Sequence, residues 1–157
     1  MRLSWDNYFM EMSNSAAKRS TCVRRQVGAV AINDKHRIIA TGYNGTPEGQ
    51  EHCTPETCLR NVMHIKSGDR PEVTRAVHAE QNIVAQAGDD LRDATVYCTT
   101  RPCVSCFKSL IASGVKRIVW KQDYADSISE KLMAEWGKVE TTPDGYFEFI
   151  KHMRNEE

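Results

Sequence analysis

From Ala79 onward the sequence alternates, at element length, between helical and extended patterns, and this alternation narrows the fold more than any other property of the chain. Residues 79–87 keep helical spacing and stop at Gly88; residues 94–98, "ATVYC", are β-branched and aromatic; residues 103–113 are helical again up to Gly114. A strand at 116–120, "KRIVW", and a helix near 127–136 continue the series, with a weaker strand or two between 138 and 151. Upstream, Trp5, Tyr8, Phe9, Met12 and Ala16 sit at helical spacing within residues 4–19, with Ser4 as N-cap and Asp6 in the first turn. "VGAVAIN" (27–33) and "RIIATGY" (37–43), separated by "DKH", predict a hairpin. A hairpin followed by alternating strands and helices implies a mixed sheet covered by helices, an α/β sandwich. At 157 residues the chain is expected to be one domain, 1–157, able to bury a core without disulfides.

Lys plus Arg and Asp plus Glu balance at 21 each, so no global basic field directs the chain to nucleic acid, and the expected partner is a small molecule. The opening "MRLSWDNYFMEMSNSAAKRS" lacks the apolar core and cleavage site of a signal peptide, and no apolar run is long enough to span a membrane. A cytoplasmic location is expected, in which the six cysteines are thiols or metal ligands rather than a disulfide framework. The stretch from Asn44 to Pro71 is rich in Gly, Pro and polar residues and is long for a structureless loop. A metal or a partner subunit is expected to hold it.

Two short motifs carry chemistry. Residues 102–106, "PCVSC", place Cys103 and Cys106 on one face at the start of a helix, where free N–H groups stabilise thiolates. Alone, that CxxC suits a redox dithiol or two buried thiols as well as half a zinc site. The second motif is "AVHAEQ" at 76–81, where His78 and Glu80 stand two positions apart at a helix opening. His-x-Glu followed by Pro-Cys-x-x-Cys is the signature of zinc nucleobase deaminases. His78, Cys103 and Cys106 would give zinc three protein ligands and leave the fourth tetrahedral position to water, the pattern of a catalytic site. Glu80 is then not a ligand but the proton carrier, base first and acid afterwards.

Further stretches point to the substrate. "RSTCVRRQVGAV" (19–30), "ATGYNGTPEGQEHC" (40–53), "HAEQN", "PCVSC" and "SGVKRIVW" together closely resemble the deoxycytidylate (dCMP) deaminase family and its bacterial competence-operon relatives, from about Trp5 to Trp136. The resemblance implies a cytidine-deaminase-like fold, a three-layer α/β/α sandwich with a central mixed five-stranded sheet. It implies hydrolysis of dCMP to dUMP and ammonia, feeding dTMP synthesis. Asn44 is the implied sugar contact and Tyr124 an implied aromatic near the substrate, with Ala79 beside them; for the 5′-phosphate the sequence itself offers Arg24 and Arg25 before the first strand and Lys121 after "RIVW". Tyr43, Asn44 and Gly45 resemble the segment that binds the effectors dCTP, with Mg, and dTTP, commonly at the interfaces of a homo-hexamer. Some members hold a second, structural zinc. Here Cys22, Cys53 and Cys58 supply three thiolates, and His64 or His52 would have to be the fourth ligand. A tRNA adenosine or other nucleobase deaminase shares the two zinc motifs. A noncatalytic, metal-stabilised accessory module is the alternative of another class.

Overall fold

The computed structural model describes residues 1–153. The Ser4 hydroxyl accepts the Asn7 N–H at 3.1 Å and so opens α1 (Trp5–Ala17), with Asp6 in its first turn, where a carboxylate suits the positive helix end. β1 (Gly28–Ile32) and β2 (Ile38–Tyr43) form the predicted antiparallel hairpin, with the Asn33 carboxamide oxygen accepting the Lys35 and Arg37 N–H groups in its turn. Then follow α2 (Leu59–Val62), α3 (Ala79–Ala87), β3 (Thr95–Thr100), α4 (Val104–Ala112), β4 (Arg117–Gln122), α5 (Ser127–Trp136), β5 (Gly137–Thr141) and β6 (Phe147–Lys151).

The sheet has six strands in the order β2-β1-β3-β4-β6-β5, one more than the five expected. β3 and β4 are parallel and every other neighbouring pair is antiparallel, so the sheet is mixed as expected. The additional strand comes from residues 138–151, which resolve into a complete β5–β6 hairpin. β5 lies at the sheet edge and exposes every residue after Gly137, so it lacks the apolar alternation that marks a buried strand.

Strand periodicity sorts the core onto two faces. Val30, Ile32, Tyr97 and Val119 pack with Phe9 and Met10 of α1. Ala29, Ala31, Val96, Cys98, Ile118 and Trp120 share the opposite core with Ile83 of α3, Phe107 and Leu110 of α4, and Met133 of α5. The sheet therefore lies between α1 and the other long helices, which gives the three layers. An ion-pair network ties α1 to the sheet: Arg117 donates from Nη1 and Nη2 to the two Asp6 carboxylate oxygens at 2.9 Å each, Tyr97 Oη donates to Asp6 at 2.7 Å, and Arg117 Nε reaches Glu148 at 2.7 Å.

The end of β2 where α3 begins is set by close packing. A Cβ on Gly42 of β2 would stand 2.5 Å from the Ala79 carbonyl oxygen, so only glycine lets the start of α3 approach the strand this closely. Among the described residues, no helix is long and apolar enough to cross a membrane.

Candidate active site

The two motif halves occupy equivalent places. His78 is the extended N-cap of α3, its backbone N–H held by the Gln81 side-chain oxygen at 2.8 Å, and Cys103 is the extended N-cap of α4. Cys106 lies in the first turn of α4, fully buried. A helical i, i+2 pair would diverge, but the change from extended backbone at residue 78 to helix at 79 brings His78 and Glu80 to one cavity.

His78 Nδ1 is 3.3 Å from Cys106 Sγ and 3.6 Å from Cys103 Sγ, and among the described residues these three form the only group of three donors within 4.8 Å of one another. Tetrahedral zinc with Zn–S of about 2.3 Å and Zn–N of about 2.0–2.1 Å separates N from S by about 3.5–3.6 Å. The donor set fits that ion in chemistry and spacing. His78 Nε2 lies 3.0 Å from the Pro71 carbonyl. A carbonyl only accepts, so Nε2 carries a proton, and Nδ1, turned to the two sulfurs, is the nitrogen that would offer its lone pair to a metal.

The electrostatics of the metal-free cluster agree with a ligand set. His78 is pushed up to about 9, chiefly by its hydrogen bond with Cys103, against the effect of its burial. Cys103 is pulled down to about 4, first by the hydrogen bond from the Cys106 thiol and then, burial opposing, by His78. Cys106 is correspondingly pushed up, because one thiolate beside it disfavours a second. Glu80, only 4% exposed, has its carboxyl raised above the usual range by burial. A carboxyl tuned upward is suited to giving a proton back as well as taking one.

The cluster opens into a cavity of about 400 Å³, a size that suits a small ligand. His78, Ala79, Glu80 and Cys103 are among its lining residues, and so are Arg24, Arg25, Asn44 and Tyr124. All four expected substrate residues are thus in one place. Lys121 is not among the lining residues and is exposed on β4, so the structure separates it from the site. Tyr124 has its hydroxyl pushed up by burial and by the Cys103 charge.

Asn44 is also a structural hub. Its Oδ1 accepts from Val27 N–H at 2.8 Å and from the Ser20 hydroxyl at 2.5 Å, and its Nδ2 donates to the Arg25 carbonyl at 2.8 Å. Its neighbours have other tasks. Gly45 exchanges both backbone hydrogen bonds with Val77, at 3.1 and 2.8 Å, immediately before His78, while the Tyr43 carbonyl accepts from Asn82 and its ring is half exposed.

The second metal set is not assembled. No three of Cys22, Cys53, Cys58, His64 and His52 bring their donor atoms within 4.8 Å of one another. The three thiols are nevertheless neighbours: Cys53 is pushed up by burial and then by Cys58, with Cys22 also contributing. Side chains instead hold the long loop locally. Arg60 donates to the carbonyls of Arg70 at 2.5 Å and Lys66 at 3.0 Å, Arg75 to Thr57 at 3.0 Å, and Asn61 to Pro55 at 3.1 Å.

Three contributors escaped sequence reasoning: Pro71 acts through its carbonyl, Arg60 through loop carbonyls, and Arg101 through partners far along the chain. Backbone acceptors leave no residue-type signature. For Arg101 the one available signal was a charged residue directly before Pro-Cys, just after a strand-like run.

A sequence profile of the cytidine and deoxycytidylate deaminase zinc-binding region matches residues 3–122, well over half of the chain, and includes His78, Glu80, Cys103 and Cys106. The chain belongs to the cytidine and deoxycytidylate deaminase family. As a member of that family it is 40% identical over 139 residues to the deoxycytidylate deaminase of Schizosaccharomyces pombe, covering 87% of this chain and 43% of the relative. It is 41% identical over 132 residues to the deoxycytidylate deaminase of Mycobacterium phage D29, covering 78% of this chain and 98% of the phage protein. Against the ComE operon protein 2 of Bacillus subtilis the identity is 36% over 159 residues, covering 99% and 79%. The chain thus spans less than half the length of its S. pombe relative and nearly all of the phage one. In structure it resembles the apo dCMP deaminase of cyanophage S-TIM5, with a TM-score of 0.62, 25% identity, and coverage of 84% of this chain and 94% of that one. This likeness is in keeping with a cytidine-deaminase-like architecture.

Proposed function

We propose that the chain hydrolyses dCMP to dUMP and ammonia. One observation carries the reading: a His-Cys-Cys donor set and a buried Glu80 share a cavity with Arg24, Arg25, Asn44 and Tyr124. Relatives named deoxycytidylate deaminase at about this level of identity support the choice of substrate.

His78, Cys103 and Cys106 would hold zinc, which supplies when bound the Lewis acidity that brings water toward a pKa of about 7. Glu80 removes the proton from the attacking water and delivers it to N3 of the cytosine ring as C4 becomes tetrahedral. It then takes the proton of the new C4 hydroxyl and passes it to the amino group as the C4–N bond breaks, so that water and dCMP leave as dUMP and ammonia. Ala79 and Tyr124, both lining the cavity, would pack against the substrate. Asn44 has one Nδ2 hydrogen beyond its bond to Arg25, suited to a sugar hydroxyl. Arg24 and Arg25 present guanidinium forks to a phosphate monoester carrying nearly two charges.

The same reading extends to dCTP with Mg as activator and dTTP as inhibitor at Tyr43, Asn44 and Gly45, to a homo-hexamer, to a cytoplasmic role supplying dTMP synthesis, and to a second zinc on which Cys22, Cys53, Cys58 and His64, not gathered in the metal-free chain, would have to converge. The deciding experiment follows the cytosine absorbance band when zinc-loaded protein is mixed with dCMP, with and without dCTP and Mg. Loss of the band with release of ammonia is expected, and an unchanged spectrum under both conditions rules the reading out.

A further inference from the structure

Arg101 sits between the end of β3 and the Pro102-Cys103 entry to α4, and its side chain is only 4% exposed. Its reach is across, to the loop between β4 and α5. The Arg101 N–H donates to the Gln122 carbonyl at 2.9 Å, and Nη1 donates to Asp123 Oδ1 at 3.2 Å, to the Tyr124 carbonyl at 3.2 Å and to Glu130 Oε1 at 3.3 Å. The guanidinium lies 5.5 Å from the centre of the Trp120 ring, whose Nε1–H donates to the same Asp123 oxygen at 3.2 Å.

These contacts are a poor way to stabilise a buried cation. One nitrogen serves three acceptors, at distances beyond the roughly 2.7–2.9 Å of strong charge-assisted bonds. The Nε–H finds no protein acceptor among the described residues, and Nη2 has only the Met133 sulfur at 3.5 Å. A well-packed apolar side chain would stabilise such a place at least as well. What the guanidinium uniquely does is join two loops at the carboxyl ends of the parallel strands, one leading into Cys103 and one carrying Tyr124. Both Arg101 and Tyr124 line the cavity.

We infer that Arg101 is a positioning residue that holds the 123–126 loop, and with it Tyr124, against the nucleotide cavity. Its effect on catalysis rests on the dCMP reading above; its effect on the loop does not. Both are measured in Arg101→Met and Arg101→Lys with the zinc-loaded protein. Arg101→Met is expected to keep the zinc content of the parent protein, to speed amide exchange over residues 122–126, and to raise KM for dCMP by about tenfold to a hundredfold with kcat within about threefold. Arg101→Lys keeps the charge but lacks the fork and falls between the two. Unchanged exchange with unchanged KM overturns the inference, as does a fall in kcat that tracks loss of zinc. Should Arg101→Met fail to fold, Asp123→Asn combined with Glu130→Gln weakens the same clamp from its exposed side and is read in the same way. A parent protein that turns over no dCMP overturns the functional reading alone, because the exchange measurement needs no substrate.

Discussion

His78 donates its Nε2 proton to the Pro71 carbonyl across 3.0 Å, and this single bond decides which of its ring nitrogens faces the two cysteines. The acceptor is backbone, seven residues upstream, at the end of the long loop. A loop that looks featureless in sequence thus sets the tautomer of the metal-ligating imidazole.

Arg60 should therefore influence metal affinity without touching the ligands. It pins the Lys66 and Arg70 carbonyls, the second of which directly precedes Pro71. Arg60→Ala is expected to weaken zinc retention by about tenfold or more, read by competition with a chelator. Equal retention in the variant would show that the loop holds Pro71 without this side chain.

Glu80→Gln preserves the shape of the cavity but cannot carry protons. Turnover should fall by at least about 10²–10⁴, the usual contribution of a general acid–base group, while zinc content stays that of the parent protein. An active Glu80→Gln protein assigns the proton transfers to another group.

Acid should unlatch α1. Burial alone would raise the Asp6 carboxyl, but hydrogen bonds from Arg117 and Tyr97 and the Arg117 charge hold it below its ordinary value of 3.8. A depressed carboxyl contributes stability that is fully present above the unfolded-state value and is lost as pH falls through the lower folded value. Urea midpoints measured from pH 6 down to about 2 should drop more steeply for the parent protein than for Asp6→Asn, which starts roughly 1.5–3 kcal/mol less stable at neutral pH. Parallel curves would remove Asp6 from the acid response.

Asn44 should report on folding and on substrate together. Asn44→Ala removes the acceptor for Val27 N–H and the donor to the Arg25 carbonyl. Leaving such backbone groups unpaired costs about 1–3 kcal/mol of stability, measurable by denaturant titration, and KM for dCMP should rise as well. A rise in KM with unchanged stability would make the residue a substrate contact alone.

Much of this protein is legible in one dimension. The positions of α1, the β1–β2 hairpin, and the helices after His78 and before Gly114 follow from periodicity and from capping residues that act within a turn or two of chain. His-x-Glu and Pro-Cys-x-x-Cys are equally local, since an N-cap and its first turn bring both cysteines to one side whatever lies beyond. The β5–β6 hairpin was only partly legible because an edge strand exposed on nearly every residue has no apolar alternation to detect.

The reaction class was therefore written in residue types at short spacing, the kind of information a sequence carries well. Tertiary structure decided what the motifs work with. It closed α3 onto Gly42 and brought His78 within 3.6 Å of cysteines more than twenty residues away. It gathered Arg24, Asn44 and Tyr124 into one cavity, excluded Lys121 from it, and left the second thiol set unassembled. Those outcomes depend on which strand lies beside which and on backbone carbonyls that any residue can supply, and neither leaves a mark on the order of side chains.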